Sequence, residues 1–280
     1  MNIRLIAFDL DGTLLDDRKR ISGRCFQAMR AAADLGIELV PATGRLLTAL
    51  PKELMRLPFI RYVISLNGGV VWDTKEHTVL YKRILSRKDA LDVWDFIDGY
   101  NGMRDFYADG CGYMEPQNLS LMETHVLTDE MRNLVRSTRS VVPDGRARIA
   151  EGNGVEKFNL FFLAEEKARQ EQARKEISEA FPFVKVTSSI VNNLEINHRE
   201  ADKGRGLLAL CEHLGILLSE AVAFGDGDND AAMIRAAGLG VAMENGEESL
   251  KAIADRIAPS NEEDGVARVM EELMKTAGRP

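Results

Sequence analysis

The apolar run Ile3, Leu5, Ile6 and Ala7 is cut off abruptly by Phe8-Asp9-Leu10-Asp11-Gly12-Thr13. A short, aliphatic-rich run stopped by glycine reads as a buried parallel strand that ends in a tight turn. That places two carboxylates at the carboxyl end of a central strand, the edge where ligands bind in open α/β sheets. Strand alternation puts Asp9 and Asp11 on one face, roughly 6 to 7 Å apart along the chain. Two acids so close raise each other's pKa unless a cation lies between them. A hard divalent cation with oxygen ligands, Mg²⁺ by preference, resolves the conflict. The simpler reading is a polar Asp-Gly turn with no further role.

The rest of the chain supplies the partners of that strand. Ser22 is a fitting N-cap for a helix that ends before Gly36, with Phe26, Met29, Ala32 and Ala33 as its buried stripe. Ile37 to Ala42 forms a second buried strand running into Thr43-Gly44-Arg45, a hydroxyl and bare amides suited to an oxyanion. A capped helix start would explain Thr43 equally well. Pro51 interrupts the following helical stretch. Tyr62 to Leu66 is another strand, Asn67-Gly68-Gly69 a turn, and Val70 to Trp72 with Thr78 to Lys82 a hairpin.

Near Ser86 the pattern changes. Ser86-x-x-Asp89 resembles a capping box with Ala90, Val93, Trp94 and Ile97 at helical spacing behind it. Short strands and a charged helix, Glu165 to Ala180, follow as far as about Asn197, without regular parallel units. Residues 85–197 therefore read as an inserted α+β domain within a core of 1–84 and 198–280. Trp94, Phe106, Tyr107 and Tyr113 fit its packed interior better than a stacking platform. The parallel pattern resumes at Lys203-Gly204, where a lysine in a first helical turn opposes the macrodipole. Such breaches of local rules gather at functional sites. Ala221 to Phe224 is a strand that leads into Gly225-Asp226-Gly227-Asp228-Asn229-Asp230 and a helix over Ala231 to Ala237. Leu239 to Ala242 adds a strand, and amphipathic helices around Ala252 and Met270 complete the cover.

Composition narrows the function. A net charge of −8 with no basic block argues against nucleic-acid or membrane-surface partners, so any positive field for an anion must be local. No window is apolar enough to span a membrane, no secretory leader pattern is present, and Cys25, Cys111 and Cys211 have no paired spacing. A cytoplasmic protein with reduced thiols is expected. His77, His125, His198 and His213 match no zinc spacing.

Two acids, a hydroxyl, a lysine and an acid pair at the ends of one sheet resemble the haloacid dehalogenase superfamily. Its four motifs match Asp9-Leu10-Asp11-Gly12-Thr13, Thr43-Gly44, Lys203, and Gly225-Asp226 with Asn229-Asp230. Arg45, Asn67-Gly68, Lys203-Gly204 and Asn261 to Val266 further resemble Cof-type phosphatases with a type IIB cap. The resemblance spans essentially the whole chain. It implies a Rossmann-like, doubly wound, mostly parallel α/β core with an inserted cap, and hydrolysis of a small-molecule phosphate monoester, a sugar or cofactor phosphate.

By the same resemblance Asp9 is the nucleophile that forms an aspartyl-phosphate, and Asp11 is the acid and then the base. Mg²⁺ is held by Asp9, the Asp11 carbonyl and Asp226. Leu10 (through its amide), Thr43, Gly44, Arg45, Lys203 and Asn229 hold the phosphoryl group, while Asp230 orients Lys203 or a metal-bound water. A phosphomutase or phosphotransferase would use the same site. A receiver-type signalling module fits less well, because of the Asp-x-Asp spacing and the insertion. Halide removal would leave Asp11 and Asp226 idle, and a non-catalytic phosphate binder would not need every reactive position filled. Neither the particular ester nor the oligomeric state is legible at this level.

Overall fold

The computed structural model describes residues 2–188 and 190–277. Met1, Ser189 and 278–280 lie outside them, and with them the outer ends of the expected core segments and one position of the expected cap. The chain divides into two compact units, one of Met1–Arg45, Leu50–Lys82 and Asp202–Pro280, the other of Leu46–Ala49 and Arg83–Ala201.

In the first unit a parallel sheet carries, in spatial order, Arg256–Ala258, Leu239–Met243, Ala221–Gly225, Leu5–Phe8 and Glu38–Pro41. Leu5 to Phe8 are all buried, as a strand covered on both faces must be. They pair in parallel with Ala221 to Phe224 on one side and Glu38 to Pro41 on the other. The register extends one residue further where Asp9 N donates to Phe224 O at 3.0 Å, so the first acid leaves the sheet between two neighbouring strands.

The helix Gly23–Asp34 begins where Ser22 Oγ accepts from Cys25 N at 3.0 Å, as the cap predicts. Its buried face is Cys25, Ala28, Met29 and Ala32, rotated from the expected stripe so that Phe26 and Ala33 flank it. The strand Tyr62–Ser65 does not join the main sheet. It pairs antiparallel with Val70–Asp73, which pairs with Thr78–Lys82, and meets the parallel layer at a bridge between Ala42 and Ile64, where Thr43 N also donates to Ile64 O at 2.8 Å. The helix expected around Ala252 is a single turn, Glu248–Lys251, whereas that around Met270 runs over Gly265–Ala277. No helix among the described residues is long and apolar enough to cross a membrane.

The second unit holds a sheet with Val184–Thr187, Asn193–His198, Lys157–Phe161, Met103–Ala108, Cys111–Met114 and Arg139–Val141 in spatial order. Its pairs are antiparallel except the last two strands. One face supplies Phe106, Phe158, Leu160, Leu194 and Ile196 to a core shared with Ala90, Val93, Trp94 and Ile97 of the helix Arg87–Asp98. Trp94 and Phe106 meet edge to face with centroids 5.4 Å apart, so these aromatics are core, as the spacing suggested. The alternate positions are charged and buried: Lys157 Nζ lies 2.8 Å from Glu195, and Arg139 Nε lies 2.9 Å from Asp105. The helices Pro116–His125, Asp129–Thr138 and Gly145–Glu151 are additions to the sequence reading.

Candidate active site

The loop after the first strand turns at once. Leu10 begins a turn, its side chain fully buried and its carbonyl accepting from Leu15 N at 2.9 Å. Gly12 takes φ +81, and a Cβ there would collide with the Asp226 carboxylate. Glycine is therefore required for Asp226 to close in on the first loop. Thr13 Oγ donates to Asp226 Oδ1 at 2.8 Å and fixes that carboxylate from the other side.

The two acids flanking Leu10 find different partners: Asp9 is buried, whereas the part-exposed Asp11 carboxylate lies against Arg45 and Lys19. Arg45 Nε reaches Asp11 Oδ2 at 2.8 Å, Arg45 Nη2 reaches Oδ1 at 2.6 Å, and Lys19 Nζ also reaches Oδ1 at 2.8 Å. Burial pushes the Asp11 carboxyl up, but these two partners outweigh it and hold it below the usual carboxylate range. The sequence had suggested the opposite shift, from repulsion by Asp9. Arg45, expected on a phosphoryl group, is thus seated on Asp11.

Lys203 opens the helix Lys203–Leu214 behind the N-cap Asp202. It is fully buried, and its ammonium is 2.6 Å from Asp9 Oδ1 and 2.6 Å from Asp230 Oδ1. The helix comes this close because Gly68, at φ +91, lies against the Asp202 carbonyl where any side chain would collide. Burial acts to discharge Lys203, yet Asp230 and Asp9 overcome it and raise its pKa. Burial is also the main force on Asp9, which with help from Asp230 and Asp226 is pushed up to about 7 despite Lys203. Asp226 is pushed up to about 6, again chiefly by burial and then by Asp230.

Asp9, Asp226 and Asp230 each offer a carboxylate oxygen within 4.8 Å of the others, a set that could hold a metal ion. Three carboxylates against one ammonium leave two negative charges, which a divalent cation with a preference for oxygen ligands would balance. Asp230 is already engaged through both oxygens, since Oδ2 accepts from Asp226 N at 3.0 Å and Gly227 N at 3.1 Å while Oδ1 takes Lys203. Asp9 and Asp226 are therefore the better placed direct ligands, with Asp230 as their brace.

Thr43 is buried, and its Oγ accepts from Arg45 N at 3.2 Å, so it caps its own loop and keeps a hydroxyl proton to donate elsewhere. A Cβ on Gly44 would stand 2.8 Å from Asn67 Oδ1. That same oxygen accepts from Asn229 Nδ2 at 3.1 Å. Asn67, in the left-handed region at φ 55, thereby joins the Thr43-Gly44 loop to Asn229. The sequence marks Asn67 as a turn residue and a point of family resemblance but gives it no contact in the site, and it does not single out Lys19. The Asn-Gly pair after a strand was the available signal for the first, and nothing local marked the second.

A family model described as haloacid dehalogenase-like hydrolase matches residues 6–270. The phosphatase YwpJ of Bacillus subtilis is 31% identical to this chain, over 97% of the chain and 100% of that protein. The 5-amino-6-(5-phospho-D-ribitylamino)uracil phosphatase YcsE of the same organism is 29% identical, over 96% of the chain and 95% of that protein. Among solved structures, a haloacid dehalogenase-like hydrolase from Bacteroides thetaiotaomicron superposes with a TM-score of 0.82 at 27% identity, covering 97% of this chain and 99% of that one.

Proposed function

The chain belongs to the haloacid dehalogenase-like hydrolase family, and on that premise we propose that it is a Mg²⁺-dependent phosphatase of a small-molecule phosphate monoester, a sugar or cofactor phosphate. The observation that carries this reading is the fully buried Lys203 bridging Asp9 and Asp230, with Asp226 beside them. Relatives named as phosphatases support the reaction class.

In this scheme Asp9 attacks phosphorus, forming an aspartyl oxygen–phosphorus bond as the bond to the leaving oxygen breaks. Asp11, loaded with a proton from solvent as the dianion draws Arg45 away, gives that proton to the leaving oxygen and takes another from the water that attacks the phosphoenzyme, returning Asp9 as carboxylate and releasing phosphate. Lys203 keeps Asp9 ionised and offsets the charge of the incoming dianion, since phosphoryl transfer is mostly positioning and charge neutralisation. The Leu10 amide, Thr43, Gly44, Arg45 and Asn229 orient the phosphoryl oxygens. Arg45 would exchange part of its hold on Asp11 for the substrate. When bound by Asp9, Asp226 and the Asp11 carbonyl, Mg²⁺ supplies the two positive charges the carboxylates lack. Asp230 holds Lys203 in register.

The test is release of phosphate from p-nitrophenyl phosphate with Mg²⁺. Asp9→Asn is expected to abolish it while leaving the fold intact by circular dichroism, and turnover by that variant would refute the assignment. Conversion of a hexose phosphate to an isomeric phosphate in place of free sugar would favour the mutase reading.

A further inference from the structure

From Gly12 to Asp17 the chain is held at Gly12, Leu15 and Asp17 by a segment more than two hundred residues away. Gly12 O accepts from Asn245 Nδ2 at 2.8 Å, and Leu15 O accepts from Asn261 Nδ2 at 3.0 Å. The two asparagines are themselves joined, Asn261 N donating to Asn245 Oδ1 at 3.0 Å. Asp17 N donates to Glu262 Oε1 at 2.6 Å. Asp16 then closes the turn: its amide donates to Arg20 O at 3.0 Å, its carbonyl accepts from Lys19 N at 2.8 Å, and its Oδ1 accepts from Arg20 N at 2.8 Å.

Inside this turn Lys19 adopts φ 59, a region that non-glycine residues rarely occupy unless their surroundings impose it. The result is an ammonium placed 2.8 Å from Asp11 Oδ1, beside the Arg45 Nη2 that reaches the same oxygen at 2.6 Å. An ion pair this exposed on a loose loop would count for little. Here the loop is pinned from outside, and the lysine that makes the contact sits at the left-handed position of the closed turn. Lys19 comes from a different stretch of chain than Arg45 and opposes the carboxylate's swing away from the guanidinium. Both cations also favour the ionised carboxyl, so what Lys19 contributes to proton donation is orientation, and the loss expected on removing it is net of easier protonation.

We propose that Lys19 is a positioning residue for Asp11, delivered by a loop that Asn245, Asn261 and Glu262 hold in place. This rests on the reading of Asp11 as the proton donor to the leaving oxygen. It also gives a role to Asn261, whose segment the reaction scheme leaves unused.

Proton donation matters most when the leaving group is poor, so the chain is assayed with Mg²⁺ on p-nitrophenyl phosphate and on phenyl phosphate. Lys19→Met is expected to lower kcat on phenyl phosphate roughly tenfold or more, with a clearly smaller loss on p-nitrophenyl phosphate and KM little changed on both. Lys19→Arg should recover most of the loss, and Asn261→Ala should reproduce the same selectivity in weaker form. Arg18→Met, one position away, should match wild type. Equal losses on both esters, or a loss carried by KM, would overturn the inference, as would wild-type kinetics for Lys19→Met alongside a leaving-group-dependent defect in Asp11→Asn. If Asp11→Asn shows no such dependence, the assignment of Asp11 falls first and this inference with it.

Discussion

The ammonium of Lys203 stands 2.6 Å from the Asp9 carboxylate in a spot closed to solvent. A cation in that position cannot be replaced by water or by a longer side chain. Lys203→Met should reduce kcat/KM on p-nitrophenyl phosphate at least ~100-fold. Lys203→Arg should do no better, because the planar guanidinium needs room that the buried site lacks. Substantial rescue by arginine would mean that the site needs only charge.

Stability of the metal-free protein should depend on pH through Asp9 and Asp226. Their folded-state pKa values, about 7 and about 6, lie above the ordinary 3.8. Groups shifted upward favour folding fully below their unfolded pKa, and that contribution is lost as pH rises through the folded values. Asp11, shifted downward, acts only in a more acidic range. Between pH 5.5 and 8 the metal-free chain should therefore lose stability to these two groups, and Mg²⁺ should raise the melting temperature more at pH 8 than at pH 5.5. Equal stabilisation at both pH values would separate the metal from these carboxylates.

The buried pair of Arg139 and Asp105 in the inserted unit makes a different prediction. Asp105 also receives Asn159 Nδ2, and Arg139 also reaches the Tyr107 hydroxyl. Asp105→Leu strands a buried guanidinium and should cost about 3–5 kcal/mol, read from urea unfolding of the full chain. The double variant with Arg139→Met should be more stable than Asp105→Leu alone. A double variant that loses the sum of both single effects would contradict this.

Gly44→Ala places a methyl against Asn67 Oδ1, displacing the amide that faces Asn229. The expected outcome is a drop in kcat/KM of ~10-fold or more with little change in melting temperature. Unchanged kinetics would remove this loop from the site.

Thiol labelling tests the core. Burial raises the Cys25 thiol and pushes Cys211 up to about 11, whereas Cys111 is exposed. Iodoacetamide at pH 8 should modify Cys111 and leave the other two until urea is added. Rapid modification of all three in native buffer would refute the packing around them.

How far the sequence spoke for itself follows the range of each interaction. Asp9, Asp226 and Lys203 were legible because each lies in a local pattern, a strand end or a helix start, whose composition is odd without a ligand. Asn67 was not, because its importance comes from a left-handed backbone that brings it to Gly44 and Asn229, residues far away in sequence. Lys19 was hidden for the same reason. The helix Pro116–His125 buries Asn118, Met122 and His125, a face too mixed for apolar periodicity to reveal. The strand Tyr62–Ser65 was legible as a strand but its pairing was not, since an aliphatic run does not say which edge it will join.

A lysine sealed between two carboxylates is also out of reach of acylating agents. Acetyl donors that silence exposed amines would find Lys203 only in an opened or unfolded protein. The buried cation is thereby insulated from the acetylation that exposed lysines undergo, and inactivation by amine-directed chemistry would report unfolding of this unit more than attack on the native site.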